Sequence, residues 1–116
     1  MTPIYDSKGR VVAWLKDTNI FHLNGTHAAV VKGDNVYGHS GQHLGLLKQW
    51  LFRDHAGGVV AFIKGASGGP IKPIPSIPPI PPIPSIPPIP AIPSIPPIPA
   101  IPSLGWGQSW QAFISA

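Results

Sequence analysis

The chain of 116 residues contains no cysteine and no glutamate, and four aspartates are its only acidic side chains. Without cysteine, neither a disulfide framework nor a thiolate metal site can stabilise the fold. Every charged residue lies at or before Lys72, and the formal net charge is +4. Lysine and arginine are spread along the repeats, whereas nucleic-acid binders cluster them on one face. We therefore expect no nucleic-acid partner and interpret these residues as solvating.

Two kinds of apolar segment are also missing. The first ten residues, MTPIYDSKGR, lack the apolar region of a secretory signal. No stretch of 18 proline-free apolar residues is present, so no transmembrane helix is expected. These absences favour a cytoplasmic protein, or part of an exported or virion-like assembly, and leave membrane or lipid contact without support.

What the sequence does contain is a 16-residue unit written four times between residues 4 and 63. The units begin at Ile4, Ile20, Val36 and Phe52, and the same internal position is always glycine: Gly9, Gly25, Gly41 and Gly57. Each unit has two short β-prone runs around a turn, and Asn24-Gly25 is a strong hairpin signal. Four hairpins give about eight strands, which is typical of an all-β fold.

Aligning the units gives columns of equivalent residues. The apolar columns are Val12, Ala28, Leu44, Val60 and, two residues later, Trp14, Val30, Leu46, Phe62, with the small column Ala13, Ala29, Gly45, Ala61 between them. Because alternate residues of a strand share a face, the two apolar columns predict one apolar face. Tyr5, Phe21 and Tyr37 form an aromatic column in which Arg53 replaces the fourth member. We expect that break to face something different, such as the C-terminal segment.

A closed barrel around a pseudo-fourfold axis and an open meander both fit this pattern, and closure is favoured because it removes exposed strand edges.

The pattern also carries a resemblance. The residues behind it are the four glycines, the small column, Tyr37-Gly38, the run Gly41 to Gly45, Asp54-His55, and Ala66 to Pro70 before a proline-rich stretch with a tryptophan-containing end. Together they resemble the bacterial 4-fold β-flower domain family. The resemblance implies four hairpin petals around an axis and no activity. The basic residues associated with the proline-rich stretch are reduced here to Lys72.

We divide the chain into a four-hairpin domain (1–66), a glycine-rich hinge (67–70), a proline arm (71–104) and an aromatic C-terminal anchor (105–116). In the arm every third residue is isoleucine or, last, leucine. Proline excludes α-helix and favours polyproline II, whose three residues per turn place these side chains along one edge. A straight arm would span on the order of 100 Å. An uncharged aliphatic stripe marks an interaction surface, although a stiff spacer and a PxxP ligand remain as alternatives.

In the anchor, Trp106, Trp110 and Phe113 would share one face of a helix, and we interpret them as a contact to protein. The predicted interaction residues of the arm and anchor are Ile74, Ile77, Ile80, Ile83, Ile86, Ile89, Ile92, Ile95, Ile98, Ile101, Leu104, Trp106, Trp110 and Phe113.

Candidate chemistry is sparse. His22, His27, His39, His43 and His55 fill no column in all four units, so they are interpreted as surface histidines with no metal site expected. Asp54-His55 as a general-base pair, and Ser40 beside His39 or His43 as a nucleophile, have only their spacing in support. We expect no enzyme activity, no catalytic residues and no cofactor.

The leading hypothesis is a non-catalytic structural or assembly module that self-associates, or binds a protein partner, through its Ile-Pro arm. The alternative is a small-molecule or lipid-binding module that uses the apolar mouth of the flower. A histidine and aspartate metal site or a hydrolase ranks below both.

Overall fold

The computed structural model describes residues 1–88 and 91–116, which hold eight strands and one short helix. The strands are β1 Thr2–Tyr5, β2 Val11–Lys16, β3 Asn19–His22, β4 His27–Lys32, β5 Asn35–Tyr37, β6 His43–Lys48, β7 Leu51–Arg53 and β8 Val59–Phe62, and the helix is α1 Trp110–Ile114. Each strand pairs antiparallel with the next, and β8 pairs with β1. The sheet is a closed barrel of four hairpins, which confirms the predicted fold.

Two kinds of turn alternate around the barrel. The loop inside each repeat, which we call its tip, spans residues 6–10, 23–26, 38–42 or 54–58. In every tip the glycine N–H donates to a carbonyl three residues earlier, as Gly41 does to Gly38 at 3.1 Å. Two-residue turns join successive repeats at the other end, and Asp17 and Gln49 adopt positive φ there. Glycine is therefore not required at these turns.

A β-bulge interrupts each hairpin at the same place. In the first hairpin Ile4 pairs with Ala13, and Tyr5 pairs with Val11, so Val12 is left over. The bulge turns the Val12 column toward the core, where Ala28, Leu44 and Val60 are buried. Trp14 instead pairs with Phe21 on the outer face. The expectation of one shared apolar face is therefore wrong, because a bulge resets the alternation of side chains.

Side chains that point inward fill the narrow interior of the barrel. Ile4, Ile20, Val36 and Phe52 face the axis together with the column Ala13, Ala29, Gly45 and Ala61. A barrel of eight strands leaves room for little more than its own side chains. The column of alanines and one glycine thus sets how closely the strands approach.

Helix α1 closes the barrel at the tip end. Phe113 is completely buried, and its ring lies 6.3 Å from that of Phe52, while Trp110 lies 5.2 Å from Phe52. A Cβ at Gly45 would lie 2.6 Å from Phe113 and collide with the carbonyl oxygen of Arg53. Gly45 is the one member of this column without a side chain, and it therefore leaves room for the ring of Phe113.

Candidate functional site around the proline ring

The proline arm does not project from the barrel but encircles its tips. The N–H of Ser94 donates to the carbonyl of Gly41 at 2.8 Å. The same bond forms at the other three tips, in the pairs Ser76 to Gly9, Ser85 to Gly25 and Ser103 to Gly57. These serines are nine residues apart, and the glycines are sixteen apart. Each hairpin tip therefore binds one nine-residue segment of the arm.

The dimensions expected for a polyproline II chain agree with this register. Nine residues at about 3.1 Å each span roughly 28 Å, so four steps give a perimeter of roughly 110 Å. A circle of that perimeter has a diameter of roughly 35 Å, and the molecule measures 37 × 36 × 21 Å. Polyproline II has no internal hydrogen bonds, so the serine N–H is available to the tips. We call this part of the chain the proline ring.

The tip glycines fit beneath the ring because they lack a side chain. Gly41 has φ of 82°, and a Cβ there would collide with the carbonyl oxygen of Ile92. At Gly9, Gly25 and Gly57 the same Cβ would lie 2.5 Å from the carbonyl oxygens of Ile74, Ile83 and Ile101. Contact between ring and tip thus explains why this position is glycine in all four units.

The isoleucines of the ring face away from the barrel. Those predicted as interaction residues are each 89–95% exposed where described, and they are Ile74, Ile77, Ile80, Ile83, Ile86, Ile92, Ile95, Ile98 and Ile101. Ile71 and Leu104 are also exposed, whereas Ile89 lies outside the described residues. The ring contacts the tips through its backbone and through half-buried residues such as Pro75, Pro84 and Pro93. The aliphatic stripe is left free.

The anchor residues contact the barrel of their own chain. Trp110 and Phe113 lie in the core, as described above. Trp106 precedes the helix and packs, half-buried, near Phe62. The chain beside it forms a parallel bridge in which Gly107 N–H donates to the Val59 carbonyl at 2.8 Å. The three aromatic residues therefore do not share one helical face, because α1 begins only at Trp110.

Arg53 fastens the end of the ring. Its Nη1 donates to the carbonyls of Gly57 and Ser103, both at 2.7 Å, and the residue is buried. The break in the aromatic column thus faces the C-terminal part of the chain, as the sequence predicted.

Two of the four seams between neighbouring hairpins contain a histidine pair. Between the second and third hairpins, His27 Nδ1 lies 2.8 Å from His39 Nε2, and His27 Nε2 lies 2.9 Å from Asn19 Oδ1. Because the amide oxygen only accepts, His27 Nε2 carries the proton, and Nδ1 accepts from His39. His43, His55 and Asn35 repeat this arrangement in the next seam. The seam between the first two hairpins has Val11 and Leu23 at the paired positions.

These contacts favour neutral imidazoles. Burial lowers the pKa of His27, and nearby His39 and His22 lower it further. Burial lowers the pKa of His43, with His55 as the second cause. The neutral forms of His27 and His43 are therefore favoured near pH 7.

The histidine seams predict a pH-dependent stability. A histidine of the unfolded chain titrates near 6.5, so below that pH the unfolded state binds more protons than the folded state does. We expect the free energy of unfolding to decrease as pH falls through about 6.5 and to level off below the folded pKa values. Urea unfolding between pH 8 and pH 5 measures this.

A matched control places the residues of the seam between the first two hairpins, valine and leucine, in both histidine seams. The quadruple variant His27→Val, His39→Leu, His43→Val, His55→Leu should lose most of this pH dependence. An unchanged slope in the variant would assign the effect to other groups.

The other candidate catalytic residues do not come together. Asp54 Oδ1 accepts from the backbone N–H groups of Ala56 and Gly58, both at 3.0 Å, and Oδ2 accepts from Gln108 N–H, with no bond to His55. The Ser40 hydroxyl bonds to the side chain of Gln42 instead of a histidine. Within residues 1–88 and 91–116, no three histidine, cysteine or acidic side chains are grouped to hold a metal ion.

Comparison with known proteins agrees with this architecture. A family model described as 4-fold beta flower protein matches residues 2–114. The chain belongs to the 4-fold beta flower protein family. No curated protein and no solved structure matches it. In the described part of this flower, no helix is long and apolar enough to cross a membrane.

Sequence reasoning missed one available signal. The period of three in the arm conceals a period of nine, IPSIPPIPP and then IPSIPPIPA twice, in which serine recurs once per repeat. Four serines for four tip glycines could have indicated that the arm follows the petals.

Proposed function

We propose that this flower is a non-catalytic assembly module that self-associates through the isoleucines of its proline ring. The observation that carries the proposal is the orientation of the stripe: ten described isoleucines are 89–96% exposed. Soluble monomers rarely expose a contiguous apolar patch of this kind, and such patches usually mark an interaction site.

The area of the stripe supports a stable contact. Burial of one isoleucine contributes roughly 1.5–3 kcal/mol, which corresponds to roughly 60–120 Å² of apolar surface. Ten such residues offer roughly 600–1,200 Å², and a standard interface buries about 800 Å² on each partner. A second copy that engages most of the ring therefore reaches the size of a specific interface.

The ring is also well prepared for binding. Its proline residues restrict the backbone, and the four serine bonds fix its path over the tips. A preorganised surface loses less conformational freedom on association than a flexible arm does. The absence of charge beyond Lys72 removes repulsion between two copies of the ring.

The mouth has less support as a ligand site. Trp110 and Phe113 lie in the expected apolar opening. The cleft that remains beside Trp110, about 520 Å³, is bordered by the charged tip residues Asp6, Lys8 and Arg10, which do not suit an apolar ligand.

Light scattering coupled to size-exclusion chromatography tests the proposal. We expect the full chain to elute with at least twice the 12.3 kDa mass of one copy at micromolar concentration. The triple variant Ile77→Lys, Ile86→Lys, Ile95→Lys should be monomeric, because these exposed side chains belong to the stripe and make none of the tip contacts.

The control carries the same added charge elsewhere. Ser7, Thr18 and Ala112 are exposed outside the ring, and their replacement by lysine should leave the assembly intact. A wild-type chain that is monomeric up to high micromolar concentration would refute the proposal.

A further inference from the structure

The seam between the third and fourth hairpins contains a cleft that its counterpart lacks. On the outer face, each seam is lined by one cross-strand pair, and these pairs are Trp14 with Phe21, Val30 with Tyr37, Leu46 with Arg53, and Phe62 with Tyr5. Where Tyr37 fills the seam, the cavity is about 20 Å³. Where Arg53 replaces the aromatic residue, the cleft is about 950 Å³. A cleft of several hundred Å³ is the size of a small-molecule site.

The two walls of this cleft differ in chemistry. The proline ring supplies an apolar wall that includes Pro96, Pro97, Pro99 and Pro102. The barrel supplies a polar wall with two cationic side chains, the exposed Lys48 and the buried Arg53, and the histidine pair of that seam. The face of a polyproline II segment is a surface on which aromatic rings pack.

Arg53 is the feature that indicates the ligand. It is only 8% exposed, and both of its hydrogen bonds come from Nη1 to neutral carbonyls. The one ion pair in the described residues joins Arg10 to Asp6, so Arg53 has no carboxylate partner there. A buried cation without a counter-ion is unfavourable. Guanidinium groups bind carboxylate and phosphate oxygens in preference to other partners.

Two aspartates also line the cleft, and neither forms an ion pair with Arg53 in the described residues. Both oxygens of Asp54 accept backbone N–H groups of its own turn and of Gln108. Asp34 lies in the two-residue turn before β5 and forms no ion pair in the described part of the chain. The donors of Arg53 and Lys48 therefore remain to bind a ligand.

We propose that this cleft binds an aromatic oxyanion, with the ring of the ligand against the prolines and its carboxylate or phosphate toward Arg53 and Lys48. The site goes beyond the assembly function and does not depend on it. It gives Arg53, which also holds the end of the ring through Nη1, a second role through its remaining donors.

Isothermal titration calorimetry of the full chain tests the site with benzoate, phenyl phosphate and the neutral isostere benzamide. We expect one of the two anions, or both, to bind at least about tenfold more tightly than benzamide. The preferred anion distinguishes a carboxylate site from a phosphate site. Equal binding of all three probes, or binding of none, would overturn the proposal.

Variants locate the binding. Arg53→Tyr restores the aromatic column and should abolish binding, and Leu46→Trp, which copies Trp14, should fill the cleft while Arg53 remains. Lys48→Gln should weaken binding about three- to tenfold, whereas Lys32→Gln, its counterpart in the Tyr37 seam, should change it less than about twofold. Equal effects of the two lysine variants would show that net charge, not this cleft, governs binding.

Discussion

Replacing Phe113 with alanine is expected to lower the free energy of unfolding by about 3–5 kcal/mol, the usual cost of deleting a buried phenylalanine ring. Phe113 is completely buried and contacts Phe52 and Trp110 at the mouth of the barrel. The total stability of a small domain is about 5–15 kcal/mol, so this loss is a large part of it. Urea unfolding followed by tryptophan fluorescence measures the change.

Two further variants make this result interpretable. Gln111→Ala alters an exposed residue of the same helix and should change stability by less than about 0.5 kcal/mol. Phe113→Leu retains most of the buried volume and should fall between the two. If Phe113→Ala were as stable as Gln111→Ala, the C-terminal helix would not be part of the core.

Replacing Gly41 with alanine is expected to displace the proline ring at the third tip. Gly41 has positive φ, so alanine there is strained by roughly 1–2 kcal/mol. The added Cβ would also collide with the carbonyl of Ile92, and overpacking of this kind costs about 1–3 kcal/mol more. The ring should therefore lose its bond from Ser94 at this tip.

Gly33 provides the matched control for backbone strain. It also has positive φ, at 61°, but a Cβ there meets nothing within 4 Å. Gly33→Ala should show the strain alone, and the difference between the two variants measures the contact with the ring. Equal destabilisation by both would mean that the ring does not press on the tip.

The local features of the fold were predictable because their causes are local. Asn24-Gly25 and its equivalents define hairpin turns, and the repeated columns define strands without reference to any distant residue. The bulge was not predictable from alternation, since the single extra residue, Val12 in the first unit, looks like any other apolar strand residue. Its consequence, the outward position of Trp14, was therefore missed.

The path of the arm depends on a match between two sequence periods, nine residues in the arm and sixteen in the barrel, which lie far apart in the chain. Proline predicts polyproline II as a local conformation, but it does not predict the curvature of the arm, because the tips that guide it lie tens of residues earlier in the chain. The histidine pairs have the same character: His27 and His39 belong to different hairpins and meet only when the barrel closes. By contrast, the break at Arg53 could be read from the columns, because symmetry showed which residue was unusual.

Amide hydrogen exchange measured by NMR tests whether nine arm residues match each sixteen-residue repeat of the barrel. The account predicts slow exchange for the amides of Ser76, Ser85, Ser94 and Ser103, which donate to the tip glycines. Fast exchange is expected for the amides of Ile77, Ile86 and Ile95, which directly follow three of these serines and donate no hydrogen bond to the tips. Equally fast exchange at all seven amides would contradict the account, because the arm would then not be bound to the barrel.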